Sequence, residues 1–478
     1  MNSGRSAESS VSASFRDPDG RVIVSGDRVF RFVYPRGQES LSRFLNSELF
    51  SALSDSGEVI GTRHADKDVG REIADRHSIK GFASVLEHDA VPFASFAYEW
   101  CPEMLASAAR LTLKLAESAA ESQWGLKDAT PYNILFRGTR PVFIDLLSFE
   151  EREPLDPVWK PNAQFIRTFL LPLQLAKYIR LPFRPFFLLG RDGIEPETAY
   201  EVSGWFARWL TPLRTTATLP ALLSKKSEDG SIYNPRTSKS PEQAAFVFAR
   251  ILRGLRKKLD SASPQAQRGS VWSGYMDQNL SVEPGYVDQK KDLVREFVAS
   301  HSPRTVLDIG CNTGEFSKIA ARSGSRTVSI DTDEVVIDEL FRSADNESLD
   351  ILPLVIDISR PSPAVGWMNS ENPSFIARAA GRFEAVLMLA VVHHLLVTER
   401  IPLEEVVDLI ASIDTRALLI EWVSPDDPMF RTIARGRDEL HRDLTEDVFR
   451  EAFEHRFRTR KRTPLVRETR VMYEFVKK

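Results

Sequence analysis

The chain has 478 residues, of which 42% are hydrophobic and 27% are charged, and its formal net charge is −4. Because one hydrophobic core rarely serves more than about 250–300 residues, this length predicts two globular domains. The small negative charge argues against a general nucleic-acid-binding surface. Two cysteines, Cys101 and Cys311, are too few for a disulfide framework or a cysteine-rich zinc site, so no dedicated metal site is predicted.

The N-terminus and the most apolar segment both argue against membrane insertion. Residues 1–15 lack the apolar core of a signal peptide and are predicted to be disordered. The segment Phe169–Gly190 contains Lys177, Arg180 and Arg184, whose charges would be costly inside a bilayer. We predict a buried pair of helices here, with an interfacial helix as the alternative, and a cytoplasmic protein without a transmembrane segment.

Three oxygen-bearing side chains are spaced like a phosphotransfer centre. Asp128 and Asn133 stand five residues apart in Asp-Ala-Thr-Pro-Tyr-Asn, and Asp145 ends the apolar stretch 142–144. A turn at Gly138 separates two apolar segments, so Asn133 and Asp145 can face one cleft. This pattern resembles the protein-kinase and aminoglycoside-phosphotransferase superfamily, in which such residues supply a base and magnesium ligands.

The resemblance implies an α+β kinase-like domain over residues 16–260, with magnesium and ATP as its expected ligands. Upstream segments fit this fold, namely a hairpin near Asp17–Phe32, a hinge-like strand at Phe93–Trp100 and a helix over Leu105–Ala119. The alternative is that Asp128, Asn133 and Asp145 merely cap turns in an unrelated fold.

Three departures from the kinase pattern predict impaired phosphotransfer. Leu126 stands where the family has a histidine, and no glycine-rich nucleotide loop precedes it. The strand 29–33 carries Arg31 and no lysine, although a lysine is needed there as a compact charge for phosphates. Active phosphotransfer stays open as the alternative.

A change of composition marks the boundary between the two predicted domains. Residues 223–243 are polar and predict an exposed loop, and a basic amphipathic helix over Ala244–Leu259 follows. Residues 261–270 are rich in Ser, Gln and Pro and are predicted to form a linker. The second domain is expected to cover residues 271–478.

The second domain begins its sheet with a strand, a glycine turn and a helix. An apolar strand ends at Ile309, Gly310 and Gly314 bound the turn, and a helical pattern covers Glu315–Arg322. The spacing Asp308-x-Gly-x-x-x-Gly differs from dinucleotide-binding and phosphate-binding loops. It resembles the first motif of class I S-adenosylmethionine-dependent methyltransferases, which bind their cofactor at this turn.

Two acids follow the next two predicted strands. Asp331 follows the strand Arg326–Ile330, and a carboxylate in that place can accept both hydroxyl protons of a ribose. Asp357 follows the strand Ile351–Ile356 and, in the family that the motif resembles, lies near the adenine amino group. The alternatives are that Asp331 only caps the helix beginning near Asp333 and that Asp357 is an ordinary loop residue.

The remaining segments complete a doubly wound, seven-stranded α/β sheet. A fourth strand is predicted over Glu384–Leu395, a fifth over Ala417–Glu421, and an antiparallel pair over Phe457–Lys461 and Arg470–Val476. The residues expected to bind S-adenosylmethionine are Asp308, Gly310, Cys311, Asn312, Gly314, Asp331 and Asp357.

His393 and His394, at the predicted end of the fourth strand, are the candidate catalytic residues. Transfer to a hydroxyl acceptor requires a base, and histidine is suited to that role near neutral pH. Adjacent strand residues point to opposite faces, so at most one of the two can face the acceptor. A structural role for both histidines is the alternative.

Other candidates for the acceptor side are acidic or aromatic. Glu421 and Asp426 follow the fifth strand, and Trp272, Tyr275 and Tyr286 precede the first strand, where they can form a lid or simply pack.

The resemblances imply a methyltransferase acting on a hydroxyl or amine of a small molecule, glycan or glycolipid, with a kinase-like accessory domain. Several strings, among them Leu126–Asn133 and Phe143–Phe149, look like bacterial proteins related to rhizobial nodulation methyltransferases. One alternative is a bifunctional kinase–methyltransferase that modifies a single acceptor twice. The other is a binding module that senses the cofactor without catalysis.

Overall fold

The computed structural model describes residues 14–224, 237–264, 285–436 and 438–478. The predicted disorder of residues 1–15 therefore falls almost entirely outside the described residues. So does most of the predicted linker, although a helix extends to Ala262 and covers the first two residues of the predicted linker.

The chain begins with a four-stranded antiparallel sheet. Its strands lie in the order β1-β2-β4-β3 and are β1 (Gly20–Ser25), β2 (Arg28–Val33), β3 (Thr62–His64) and β4 (Ser84–His88). The helices that accompany it are α1 (Pro35–Leu45), α2 (Glu48–Asp55) and α3 (Lys67–Arg76). Phe30 and Phe32 of β2 pack with Ile73 of α3 in a small core. The predicted hairpin is confirmed.

No strand forms between Phe93 and Trp100, where the sequence predicted one. The chain there is irregular and includes a single 3₁₀ turn. The Phe96 N–H donates to the Glu99 carboxylate at 3.1 Å, and the Ala94 carbonyl accepts from Arg378. Because side chains satisfy these backbone groups, no neighbouring strand is needed, and the predicted hinge strand was wrong.

A long helix and two strand pairs follow. The elements are α4 (Pro102–Glu121), β5 (Trp124–Leu126), β6 (Ile134–Arg137), β7 (Arg140–Phe143) and β8 (Phe149–Glu151). Strands β6 and β7 form the expected hairpin, and β5 pairs with β8. Gly138 adopts a φ of 57° in the hairpin turn, a backbone conformation that glycine tolerates best.

The rest of the N-terminal half is helical. Its helices are α5 (Asn162–Phe165), α6 (Leu171–Ile179), α7 (Arg184–Leu189), α8 (Pro196–Val202), α9 (Trp205–Leu210), α10 (Leu219–Ser224) and α11 (Pro241–Ala262). The π-helical turns Ile166–Leu170 and Arg214–Thr218 join α5 to α6 and lead into α10. Within the apolar segment Phe169–Gly190, the first helix is buried over Leu171–Leu175, as predicted, whereas the second buries only Phe187 and exposes Leu189. No described helix is long and apolar enough to cross a membrane.

The C-terminal half contains the predicted seven-stranded sheet. Its strands lie in the order β11-β10-β9-β12-β13-β15-β14. They are β9 (Thr305–Ile309), β10 (Arg326–Asp331), β11 (Ile351–Val355), β12 (Ala385–Met388), β13 (Ala417–Val423), β14 (Phe457–Pro464) and β15 (Arg470–Lys477). The first five are parallel, and the last two are antiparallel, which confirms the doubly wound fold.

Helices cover both faces of this sheet. They are α12 (Tyr286–His301), α13 (Glu315–Arg322), α14 (Glu334–Asn346), α15 (Phe375–Ala379), α16 (Val392–Val397), α17 (Leu403–Ile413), α18 (Pro428–Ala434) and α19 (Glu446–Glu454). The predicted fourth strand was too long, because β12 ends at Met388 and Ala390 turns the chain with a φ of 58°. His393 and His394 therefore lie in α16. Strand and helix are both apolar there, so periodicity could not separate them.

The two halves of the chain share one hydrophobic core. Helix α4 packs against α14, and Phe136 meets Phe341 edge to face with ring centroids 6.1 Å apart. Polar contacts support this packing. The Glu103 N–H donates to Asp338 at 2.9 Å, and Arg342 lies 2.7 Å from the Glu103 carboxylate.

A buried ion pair lies at the same interface. Arg378 of α15 donates to the Glu99 carboxylate, and both side chains are almost completely shielded from solvent. The Arg378 guanidinium also lies over the rings of Phe93 and Phe96, at 5.1 and 5.0 Å from their centroids. Such a pair is costly to break, because the remaining charge stays buried.

We predict that Arg378→Met lowers the free energy of unfolding by about 3–5 kcal/mol, because Glu99 would lose its buried partner. Arg382→Met is the matched control, since Arg382 makes an exposed ion pair with Asp27 at 2.6 Å, and such pairs contribute at most about 1 kcal/mol. Urea unfolding followed by circular dichroism measures both. Equal losses in the two variants would contradict the importance of the buried pair.

Candidate functional site

The glycine turn of the C-terminal half lies beside the end of β10. The N–H groups of Gly310 and Cys311 donate to the Ile330 carbonyl at 2.8 and 3.1 Å. Gly310 and Gly314 adopt φ angles of 72° and 81°. A Cβ atom at Gly310 would lie 2.4 Å from Val391, and one at Gly314 would lie 2.3 Å from Leu340. The glycines are therefore required by the backbone and by neighbouring side chains of the protein itself.

Asp331 stands at the end of β10 and faces this turn. Its Oδ2 accepts the Asn312 N–H at 2.9 Å, and its Oδ1 accepts the Asp333 N–H at 3.0 Å. The helix cap of α14 is Asp333, which accepts the Val335 N–H, so Asp331 is not that cap. Burial raises the pKa of Asp331, and the backbone N–H donors act in the opposite direction. Each carboxylate oxygen of Asp331 keeps acceptor capacity beyond these bonds.

Asp308 and Cys311 lie inside the protein instead of at its surface. The Ser317 hydroxyl donates to Asp308 Oδ2 at 2.5 Å and accepts from Ser329 at 2.8 Å, which ties β9 to α13 and β10. Burial raises the pKa of Asp308 to about 7, although the Ser317 bond opposes the change. Cys311 is buried as well. Both residues can support the turn but cannot contact a ligand freely.

Asp357 and Asn312 complete the edge of the sheet. The Ile356 N–H donates to the Asp331 carbonyl at 2.9 Å, which places Asp357 next to the end of β10. Asp357 is half-buried, and its Oδ1 accepts the N–H and hydroxyl of Ser359 at 2.8 and 2.6 Å. Asn312 has a φ of 50° and accepts the Thr313 N–H at 2.7 Å. The structure thus brings the turn, Asp331 and Asp357 to one edge.

The two histidines differ in exposure. His393 is 1% exposed, and neither of its ring nitrogens has a hydrogen-bond partner among the described residues. Burial lowers its pKa well below the ordinary value, with a further contribution from His394. His394 is half-buried, and burial followed by the charge of Arg470 lowers its pKa. Both rings are therefore neutral near pH 7, and His394 is the accessible one.

A buried ion network, which the sequence did not predict, lies at the end of β13. Glu421 accepts from Tyr286 at 2.5 Å and from Lys290 at 2.7 Å. Arg470 donates to both oxygens of Asp427 at 2.8 and 3.0 Å and to the Tyr286 hydroxyl at 2.7 Å. The negative charges of the two acids, Glu421 and Asp427, are thus offset in the interior by the positive charges of Lys290 and Arg470. A charged residue within an otherwise apolar strand, Glu421, was the available signal.

This network corrects two predicted roles. Glu421 has no exposed surface, and Tyr286 is buried, so neither can contact an acceptor or form a lid. Asp426 is exposed and pairs with Arg431 at 2.6 Å. The other lid candidates, Trp272 and Tyr275, lie outside the described residues.

The two acids of the network stay ionised. Burial acts to raise the pKa of Glu421, but Lys290 and Arg470 bring it below its ordinary value. Burial also opposes ionisation of Asp427, yet the hydrogen bonds and charge of Arg470 lower the pKa of Asp427 to about 2.

In the N-terminal half, Arg31 of β2 fills the predicted phosphotransfer cleft. Its guanidinium donates to Asp145 Oδ1 at 3.0 Å, to the Ile144 carbonyl at 3.3 Å and to His88 at 3.2 Å. The Asp17 carboxylate lies 3.6 Å from the same guanidinium. Burial and the charge of Arg31 lower the pKa of His88 to about 3, so this ring is neutral.

Asp128 and Asn133 lie next to Asp145. Gln164 donates to Asp128 at 3.2 Å, and the Asn133 carbonyl accepts the Ile144 N–H at 2.9 Å. Burial raises the pKa of Asp128, the Gln164 bond lowers it, and the negative charge of Asp145 raises it further. The Asn133 backbone thus lies beside Ile144, and Asp128 is near enough to Asp145 for their charges to interact.

This cleft does not fit a magnesium ion as it stands. Arg31 already neutralises Asp145, the acid expected to hold the metal. Among the described residues, no group of three or more His, Cys, Asp or Glu side chains is arranged to hold a metal ion.

The C-terminal half also matches a known family. Residues 285–435 match the family described as a methyltransferase domain. Over 470 residues, the chain is 29% identical to the nodulation protein NoeA of Rhizobium meliloti strain 1021, covering 97% of this chain and 95% of that protein. The C-terminal half is therefore a methyltransferase domain of the S-adenosylmethionine-dependent class.

The chain is similar over part of its length to solved structures, of which WbdD and NodS are two examples. WbdD, a bifunctional kinase–methyltransferase, is 22% identical and matches 46% of this chain and 46% of its own, with a TM-score of 0.32. The chain thus spans less than half of the WbdD chain that it matches. NodS, an N-methyltransferase from Bradyrhizobium japonicum WM9, is 14% identical and matches 41% of this chain and 98% of its own, with a TM-score of 0.31.

Proposed function

We propose that the protein methylates a hydroxyl or amine of a small-molecule, glycan or glycolipid acceptor, with S-adenosylmethionine as the donor. The observation that carries this proposal is the meeting of the glycine turn, Asp331 and Asp357 at the carboxyl ends of β9, β10 and β11. The strand order reverses next to β9, and open α/β sheets bind their ligands at such points.

The residues at this edge suit S-adenosylmethionine. Asp331 keeps acceptor capacity on both carboxylate oxygens and would receive the ribose hydroxyl protons. Asp357 would accept from the adenine amino group, and Gly310, Asn312 and Gly314 would shape the backbone of the pocket. Asp308 and Cys311, which are buried, would hold the turn in place. The cofactor supplies the methyl group together with its own leaving group.

His394 is the better candidate for the base. It follows β12 on α16, is partly accessible and is neutral near pH 7, so it can accept a proton from an acceptor hydroxyl. His393 is shielded from solvent and serves to pack α16. An amine acceptor that arrives neutral would not require this base.

Asp331→Asn should weaken the affinity for S-adenosylhomocysteine at least tenfold, because a charged acceptor of two hydroxyl protons becomes a neutral amide, and hydrogen bonds to charged groups contribute about 1.5–3 kcal/mol. Isothermal titration calorimetry measures the change. Asp350→Asn is the matched control, because Asp350 is exposed just before β11, at the opposite edge of the sheet. Parental affinity in Asp331→Asn, with intact folding, would refute the ribose-binding role.

If the acceptor atom is a hydroxyl oxygen, His394→Ala should slow methyl transfer by about 100- to 10,000-fold without changing cofactor affinity. Transfer of a labelled methyl group to the acceptor in cell extract measures the rate. His455→Ala, at an exposed histidine, is the control. A parental rate in His394→Ala would show that the residue is structural.

The pH profile provides a separate check on His394. A base must be deprotonated, and the pKa of His394 lies below 6.5. The parental rate should therefore be constant near neutral pH and fall only as the pH drops through a value below 6.5.

We propose that the kinase-like cleft is impaired in phosphotransfer. The ion pair between Arg31 and Asp145 supports this, because it occupies the carboxylate that a magnesium ion would need. The missing glycine-rich loop and strand lysine point the same way. Active phosphotransfer would make the protein a bifunctional kinase–methyltransferase, whereas cofactor binding without methyl transfer would make it a sensing module.

The purified full-length protein should hydrolyse ATP in the presence of magnesium no faster than its Asp145→Asn variant, since the parental Asp145 is already paired. A coupled assay for ADP release, with and without cell extract as the source of acceptor, makes the comparison. ATP turnover that the parent shows and Asp145→Asn loses would overturn the impairment and establish the bifunctional alternative.

A further inference from the structure

A cavity of about 410 Å³ opens beside α16, the helix that carries His394. Its wall is formed by the end of α16, the turn that follows it, the start of α17, and residues between α18 and α19. The volume lies within the range of about 300–1,000 Å³ that is typical of ligand sites. None of the residues of the buried ion network at the end of β13 lines it.

The side chains that line the cavity are mainly apolar. Leu396 and Val397 of α16 are buried. In contrast, Leu440, between α18 and α19, is 77% exposed, and Val448 of α19 is 42% exposed. The inner wall is therefore shielded from water, whereas the mouth leaves apolar surface in contact with it. An apolar ligand group would remove that surface from water, which is favourable in proportion to the area buried.

The charges around the cavity are of both signs. Arg400 lies in the turn after α16, Glu404 lies at the start of α17, and Asp443 precedes α19, and all three residues are exposed. His441, which is half-buried, also lines the cavity. These side chains offer both donors and acceptors to hydroxyl and amide groups. Because neither sign of charge predominates, the lining favours a ligand that joins an apolar group to an uncharged polar one.

The cavity borders the proposed reaction site. Val397 follows His394 by three residues and therefore neighbours it on the surface of α16. In the turn after α16, Glu399 accepts from Arg360, whose guanidinium also lies 3.8 Å from the Asp357 carboxylate. The turn beside the cavity is thus tied to the loop that we propose holds the adenine of the cofactor.

We propose that this cavity holds an alkyl chain of the methyl acceptor, while the polar head of the same molecule reaches His394. The proposal rests on the proposed methyltransferase function and narrows its acceptor class. The acceptor is an amphiphile of the glycolipid kind, whose uncharged head carries hydroxyl or amide groups. A free sugar would leave the apolar wall of the cavity in water and gain no binding energy from it.

Equilibrium dialysis of the full-length protein against labelled octyl glucoside, kept below the concentration at which it forms micelles, tests the cavity. The parent should bind octyl glucoside and should not bind methyl glucoside. Leu440→Ser combined with Val448→Ser, the mouth variant, should weaken binding about tenfold, because it removes apolar surface. Leu189→Ser combined with Val202→Ser is the control variant, since these side chains are 89% and 47% exposed in the N-terminal half. It should bind as the parent does.

Methyl transfer tests the acceptor class. With labelled S-adenosylmethionine as donor and cell extract as the source of acceptor, the labelled product should partition into butanol. The mouth variant should form less of this product than the control variant does. Its affinity for S-adenosylhomocysteine, measured by calorimetry, should stay at the parental value, because the substituted side chains are exposed and lie outside the cofactor edge. An unchanged cofactor affinity separates loss of the cavity from loss of the fold.

Three outcomes would overturn the proposal. The first is that methyl glucoside binds as well as octyl glucoside, or that the mouth variant binds as well as the control variant. The second is a labelled product that stays entirely in water. The third is a dimer, seen by light scattering, that the mouth variant dissociates, because a second copy of the chain would then occupy the cavity. Absence of labelled product from both phases would instead overturn the methyltransferase function on which the proposal rests, and the dialysis would still decide whether the cavity binds an alkyl chain.

Discussion

Helix α14 is packed on two opposite faces. Its position determines the geometry of the glycine turn in the C-terminal half and of the hairpin that leads to Asp145 in the N-terminal half. One face lies on β10 and β11, and the other lies against α4. Leu340 of α14 fills the space that a side chain at Gly314 would need, and the next residue, Phe341, meets Phe136 of the N-terminal hairpin. At the end of the same helix, Asp345 accepts from Thr139 in the hairpin turn at 2.8 Å. One helix thus positions the glycine turn and the strands that lead to Asp145.

Burial decides what the charged residues of the two halves can do. A buried charge is tolerated only with a partner, and the C-terminal half pairs two acids with two bases at the end of β13. That network joins α12 to β13 and β15 in the interior. In the N-terminal cleft, the single guanidinium of Arg31 serves Asp145 and lies near Asp17. The guanidinium therefore offsets the charge of Asp145 from within the cleft.

In the helical part of the N-terminal half, the hydropathy of a segment does not indicate how much of that segment is exposed to solvent. The most apolar segment, Phe169–Gly190, is buried over α6, whereas its second helix, α7, buries only Phe187. The less conspicuous segment 202–223 carries eight large apolar side chains that are exposed. Short helices joined by turns rotate their side chains in and out of the core, so average hydropathy does not report which side faces solvent.

Local patterns were enough to predict the seven-stranded sheet, the glycine turn, the N-terminal hairpin and the loop from Asp128 to Asn133. Each depends on residues that are near in sequence, such as an apolar run ending at a glycine or an acid. The same patterns failed at His393 and His394, because a buried strand and a buried helix are equally apolar. The pairing of Arg31 with Asp145, of Lys290 with Glu421 and of α4 with α14 joins residues far apart in the chain. Only tertiary packing brings such residues together, and their burial and ionisation follow from it.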